Sequence, residues 1–180
     1  MQGVFLDAIE QYVRQELGQT GLARMRSLVG RGDKGYQFDA SYPDEEVHLI
    51  VRGVVEATGK PHEQILEEFA EAMVPGLLGV YGFLVNPRWS YLDFLVNTES
   101  VIHKGVKLNT PSAKPPAIEA QRMGPESVAI IYRSKRRLCG VAKGILRGAA
   151  THYGVTITLA EDQCMHRGDP ECVITVSAEE

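Results

Sequence analysis

The apolar residues of this chain change their spacing once, at the double proline Pro115-Pro116. Before it they recur at helical intervals; after it most runs alternate with the two-residue period of strands. Leu6, Ile9, Val13 and Leu17 make one stripe, and Leu22, Met25, Leu28 and Val29 make a second that stops at the glycines of GRGDKG. SYPDEE opens another helix, with Pro43 near its first turn and Asp44, Glu45 and Glu46 suiting the positive end of the dipole. That helix stops at Gly59. KPHEQILEEFAEAMV repeats the scheme, with Ile65, Phe69 and Met73 on one face, and a further helix starts at about Tyr91 with a break near Asn97. Beyond the prolines, AIEAQRMG and SVAIIYRS read as strands around the turn signal Gly124-Pro125. KRRLCGVAKGILRGAATHYG reads as a helix ending at Gly154, and VTITLAEDQ and ECVITVSA as strands around the turn RGDP. The pattern predicts an α+β domain over residues 1–180: a helical N-terminal lobe, then a β-β-α-β-β antiparallel-sheet C-terminal lobe. NTPSAKPP is the obvious joint.

Other classes are disfavoured by the bulk chemistry. A net charge of -4 argues against a nucleic-acid footprint, and the basic cluster RSKRR, Arg133 to Arg137, is too short to reverse that. No apolar stretch approaches the roughly 20 residues that cross a bilayer, and acidic residues interrupt the start MQGVFLDAIEQYVRQEL, unlike a signal peptide. The expectation is a cytoplasmic protein whose three cysteines are reduced thiols or metal ligands.

Two features carry chemistry. In IIYRSKRR, Tyr132, Ser134 and Arg136 are spaced by two, so on an extended strand they project from one side. Two hydroxyls and a planar guanidinium form a cradle for carboxylate or phosphate, each bond to a charged acceptor contributing roughly 1.5–3 kcal/mol. The alternative is a solvated strand end. The second feature is His103, alone in the partly apolar FLVNTESVIHKGVKLN. A neutral imidazole on a helix is a good axial ligand for haem iron and leaves the other position open to a gas, while the two haem propionates need cationic and hydroxyl partners. The bland reading of a lone histidine is a surface or satisfied core residue.

SVIHKGVKL, the proline beyond it and YRSKR together resemble the haem-nitric oxide/oxygen-binding (H-NOX) family, whose mark is Y-x-S-x-R. The resemblance spans essentially the whole chain, including MQGVFLDAIEQYV and the YPDEE helix start. It implies that the two lobes enclose haem b, with a distal helical lobe over 1–64 and a proximal lobe over 65–180 holding the ligand helix, the sheet and the terminal hairpin. It implies that His103 is the proximal iron ligand, that Tyr132, Ser134 and Arg136 bind the propionates, and that Pro115 presses on the porphyrin and distorts it. In oxygen-holding members a tyrosine on the helix after the motif bonds the gas; here Val141 stands about there, and Tyr153 lies at the helix's far end. An apolar distal pocket favours nitric oxide, and carbon monoxide as a surrogate, over oxygen. Tyr12 on the first helix is an alternative donor. The switch implied is release of His103, flattening of the haem against Pro115 and a shift between lobes.

Cys164, His166 and Cys172 lie around the terminal hairpin as C-x-H-x5-C, with Cys139 on the preceding helix. Cys3His suits a closed tetrahedral zinc site, although His152 or Asp169 could replace His166, and buried cysteines also serve as small hydrophobes. Some bacterial relatives carry zinc at this end, and thiolate oxidation would give a second sensory input. The competing functions are a haem-free small-molecule regulatory domain, resembling vinyl-reductase-like domains, and a peroxidase-like or cysteine-nucleophile enzyme. No acid-base pair or catalytic triad stands out, so an enzyme is not expected. The resemblance implies a separate signalling partner, a histidine kinase or a cyclic-di-GMP enzyme.

Overall fold

The computed structural model describes residues 1–37 and 40–179. Five helices precede the sheet: α1 (Gly3–Leu28), α2 (Glu45–Thr58), α3 (His62–Tyr81), α4 (Tyr91–Asn97) and α5 (Lys104–Asn109). The strands β1 (Ala117–Arg122), β2 (Ser127–Arg133), β3 (Thr156–Gln163) and β4 (Cys172–Glu179) form one antiparallel sheet of order β1-β2-β4-β3. Helix α6 (Cys139–Tyr153) crosses from β2 to β3. The α+β layout matches the order expected from the spacing. No helix among the described residues is long and apolar enough to cross a membrane.

The two N-terminal stripes are two helical stretches that meet at Gly18, whose φ of 65° and ψ of -170° lie outside the helix and which a side chain would resist. Helix α3 runs through Pro75 to Tyr81. The basic run Lys135–Arg137 forms a turn, and α6 starts only at Cys139.

The apolar side chains gather in two main clusters. The first joins α1, α2 and the first half of α3, with Leu6, Ile9, Val51, Val54, Leu66 and Phe69 at its centre, and it extends through Met73. The expected lobe division at 64/65 thus falls inside the first turn of α3, ahead of the residues α3 gives to this cluster. The second packs Tyr91, Leu95, Val128, Ile130, Ile174 and Val176 under α6. Helices α3 and α6 join the clusters through a stripe of glycines. A Cβ at Gly144 would lie 2.2 Å from the Glu67 carbonyl oxygen, and one at Gly148 would lie 2.6 Å from that of Glu71. Backbone therefore meets backbone. Above the contact the Lys143 ammonium bridges Glu63 at 2.8 Å and Glu67 at 3.1 Å.

The segment bearing His103 is built to stay in place. Ser90 and Asp93 form a reciprocal cap at the start of α4, and Asp93 also takes an ion pair from Arg122 of β1 at 2.8 Å. The Tyr91 hydroxyl donates to the Leu146 carbonyl of α6 at 3.0 Å. At the break expected near Asn97 α4 ends, and the chain widens into a π-turn over Thr98–His103, then resumes as α5. Such turns insert one residue and re-aim the side chains that follow.

Candidate functional site

A cavity of about 710 Å³ lies between the two main clusters, within the range of cofactor pockets. Helix α1 lines it with Phe5 and Ile9, α3 with Phe69, Val74 and Leu77, and α6 with Val141 and Ile145. These positions are apolar because the same helix faces continue into the first cluster. His103, Pro115, Tyr132, Ser134 and Arg136 also border the cavity, so five dispersed residues singled out in the sequence meet there.

His103 is the half-buried imidazole of this wall, its side chain 17% exposed. Its Nδ1 lies 2.8 Å from Glu99 Oε2, one turn earlier. The same carboxylate accepts from Lys107 Nζ at 3.1 Å and from the Ile118 backbone N–H at 3.3 Å. Burial pushes the imidazole pKa down, and Glu99 only partly offsets it, so the ring is neutral near pH 7. Burial also pushes the Glu99 carboxyl up, but the bonds from His103 and Lys107 outweigh it and hold it below the ordinary range. An Nδ1–H donated to a carboxylate fixes the tautomer and leaves the Nε2 lone pair as a basic ligand. Glu99 was missed in the sequence, although an acid four residues before a histidine on a helix is the legible signal.

Tyr132, Ser134 and Arg136 converge, but not by strand alternation. Only Tyr132 lies in β2, which ends at Arg133; Ser134 and Arg136 stand in the following turn, where the Arg136 N–H donates to Ser134 Oγ at 3.2 Å. The guanidinium donates from Nε to Asp44 Oδ2 at 2.8 Å and from Nη1 to the Lys114 carbonyl at 2.6 Å. Asp44, read from sequence only as a helix-start acid, thus borders the same cavity. Burial pushes the Tyr132 phenol up, with Ser134 and the Leu138 backbone pulling the other way, so it stays a protonated donor.

The alternative donor is corrected by its surroundings. Tyr12 does not border the cavity; its hydroxyl donates to Glu68 Oε2 at 2.6 Å, and Glu68 also binds Lys60 at 2.8 Å. Tyr153 is likewise outside, packed against Phe94 and Tyr91. Tyr42 and Tyr81, neither anticipated, border the cavity, and the Tyr42 hydroxyl accepts from the Gln37 N–H at 2.8 Å.

A second site adjoins the first. Cys139, Cys164 and Cys172 are buried with Tyr132 and Met165, and Tyr132 is the register partner of Cys172. Sγ of Cys139 lies 3.8 Å from that of Cys164, which is 3.9 Å from that of Cys172. The fourth ligand-type group is Glu161, whose oxygen falls with the three sulfurs inside a 4.8 Å spread. His166 does not join them: its Nε2 sits 2.7 Å from the Arg137 carbonyl oxygen, and its ring is exposed. Nor do the alternatives, since Asp169 accepts from the Cys164 N–H and His152 packs edge-to-face with Tyr153. Glu161 had a signal, being the acid that continues the inward face of Ile157 and Leu159 along β3. Burial pushes the thiols of Cys139 and Cys172 up.

A family described as haem-NO-binding matches residues 2–161. An H-NOX protein from S. oneidensis, solved in the Fe(II)NO ligation state, is similar over 100% of both chains, with 26% identity and a TM-score of 0.94. The H-NOX domain SO2144 from Shewanella oneidensis, solved in the Fe(II)CO state, gives 26% identity and a TM-score of 0.89 over 100% of this chain and 99% of that one. Soluble guanylate cyclase 89Db of Drosophila melanogaster is 22% identical over 88% of this chain. Soluble guanylate cyclase gcy-31 of Caenorhabditis elegans is 20% identical over 76%. The chain spans about a fifth to a quarter of those cyclases' own length. With the cavity, the imidazole on its wall and the Y-x-S-x-R turn in one place, the match over nearly the whole chain establishes that this protein belongs to the haem-NO-binding, or H-NOX, family.

Proposed function

We propose that the protein is a gas sensor that binds nitric oxide, and carbon monoxide as a surrogate, at ferrous haem, discriminates against oxygen and regulates a separate signalling protein. The observation that carries this reading is the half-buried neutral imidazole of His103, held through Nδ1 by Glu99 on the wall of an otherwise mainly apolar cavity. The residues fit the cofactor: an apolar slot for the macrocycle, a lone pair at His103 Nε2, and hydroxyl and guanidinium donors at Tyr132, Ser134 and Arg136 for its carboxylates. When bound, haem would supply a ferrous iron centre able to bind a diatomic gas.

The residues of this chain then divide the work. His103 would hold the iron through Nε2, and Glu99 raises its basicity. Pro115, on the cavity wall, would press on the macrocycle. Val141 stands where a hydrogen-bond donor would favour oxygen, and with Ile145 it keeps that wall apolar. Oxygen needs such a donor; nitric oxide does not. Glu99 also relays: because one carboxylate holds His103, Lys107 and the Ile118 N–H, release of His103 loosens α5 and the start of β1 together. The gas drives this only through different affinities for the two arrangements. The signalling partner is a histidine kinase or a cyclic-di-GMP enzyme.

At the adjoining site, Cys139, Cys164, Cys172 and Glu161 hold zinc. The support is Glu161 Oε1, buried beside three thiols that a metal would deprotonate, with no hydrogen-bond partner among the described residues and only the Lys143 ammonium, 3.7 Å away, as a counter-charge.

The deciding experiment is the visible spectrum of the ferrous protein in air, under carbon monoxide and under nitric oxide. Expected are carbonyl and nitrosyl spectra and no stable oxygen complex. A persistent oxygen complex would refute the gas assignment, and absence of a Soret band after expression with haem precursor would refute the haem reading in favour of a haem-free regulatory domain.

A further inference from the structure

We infer that Gln2 is a second arm of the carboxylate clamp, reaching the bound tetrapyrrole's acid groups beside Arg136; the inference rests on the haem reading above. Gln2 borders the cavity, in the strand-like residue before α1. Its backbone is already placed by a β-bridge to Ser41, so local folding does not require the side chain's polarity. Yet a carboxamide is what stands there, and it is poorly used. Nε2 donates to Ser41 Oγ at 3.2 Å and to Ser112 Oγ at 3.4 Å, both at or beyond the long end of N–H···O bonds. Oε1 is buried with no hydrogen-bond partner among the described residues. Buried polar atoms are rarely left so, and one at a ligand cavity calls for a ligand-dependent partner.

The juxtaposition with Arg136 identifies that partner's chemistry. Arg136 spans two segments, reaching Asp44 on one and the Lys114 carbonyl on the other. Gln2 spans the same two, reaching Ser41 and Ser112. Two side chains thus staple residues 41–44 to residues 112–114 along one rim of the cavity. Serine hydroxyls donate as well as accept, so turning the carboxamide end for end gives Oε1 two donors and frees Nε2 to donate elsewhere. An acceptor beside a guanidinium at a haem rim is a carboxylate.

The test measures haem transfer to excess apomyoglobin from the wild type, Gln2→Leu and Gln2→Glu, each loaded with haem or with its propionate dimethyl ester. Loss of a bond to a charged acceptor should speed haem release from Gln2→Leu by roughly tenfold or more, and the isosteric Gln2→Glu should release haem faster still through like-charge repulsion. With the diester the three proteins should release at similar rates. Equal acceleration with haem and diester would show that Gln2 only packs, and unchanged release from both variants would exclude any contact; either result overturns the inference while leaving the haem reading intact. A wild type that takes up no haem would overturn both.

Discussion

Replacing Gly144 by alanine tests the joint on which the cavity depends. Alanine at an exposed helical position is favoured over glycine by about 1 kcal/mol, because glycine has more backbone freedom to lose. At Gly144 the added methyl would sit 2.2 Å from the Glu67 carbonyl oxygen and 2.7 Å from Ala70 Cβ. The first obstacle is backbone, which cannot rotate away, so α6 must move off α3. Overpacking of this kind costs about 1–3 kcal/mol, occasionally more, and with Glu67 on the far side we expect the upper end to prevail. The net loss is then about 2 kcal/mol, a fall in Tm of roughly 4–8 °C for a chain of this size. Gly76 is the control. It lies in α3 with nothing within 4 Å of its would-be Cβ, so Gly76→Ala should raise Tm by roughly 2–4 °C. Thermal unfolding of both variants in one ligation state checks the pair. A Gly144→Ala protein as stable as the wild type would refute the claim that backbone contact between α3 and α6 sets their separation.

Three further outcomes are expected. Glu99→Gln keeps the shape but removes the charge behind His103, so iron–imidazole stretching in resonance Raman spectra should shift to lower frequency, with axial-ligand affinity down roughly 10–100-fold. Glu161→Ala should lose zinc to a chelator faster than the wild type, and zinc uptake should release protons and weaken as pH falls, because the buried thiols must ionise to bind. Lys60, and then Tyr12, hold Glu68 at about 2 against an ordinary 4.5. A depressed folded-state value means this stabilisation is complete above about 4.5 and disappears as pH falls towards 2. Urea midpoints across that range should therefore flatten in Glu68→Gln.

The expected and observed structures agree where a local pattern carries the information. The shift of period at Pro115-Pro116, Gly59 and Gly154 closing α2 and α6, and the alternation in β3 and β4 all act over a few residues. They part where a distant neighbour decides. The length of α3 is not set by its local pattern: it passes through Pro75 to Tyr81, where Leu77 and Leu78 rest against the two clusters. Ser134 and Arg136 seem to extend a strand, but the pull of Asp44 and Lys114 on the guanidinium belongs to a turn. In the thiol site, C-x-H-x5-C suggests a histidine ligand next in sequence, whereas the hairpin sends His166 outward and the neighbouring strand brings in Glu161. Pairings between remote segments, such as Gln2 with Ser112, leave no periodic trace.

The glycine stripe also limits how such a molecule can move. With carbonyls of α3 seated directly against α6, neither helix can slide along the other without collision, so the pair acts as a common axle for the two halves. Any change between the halves therefore has to be a rotation about that axle rather than a translation along it.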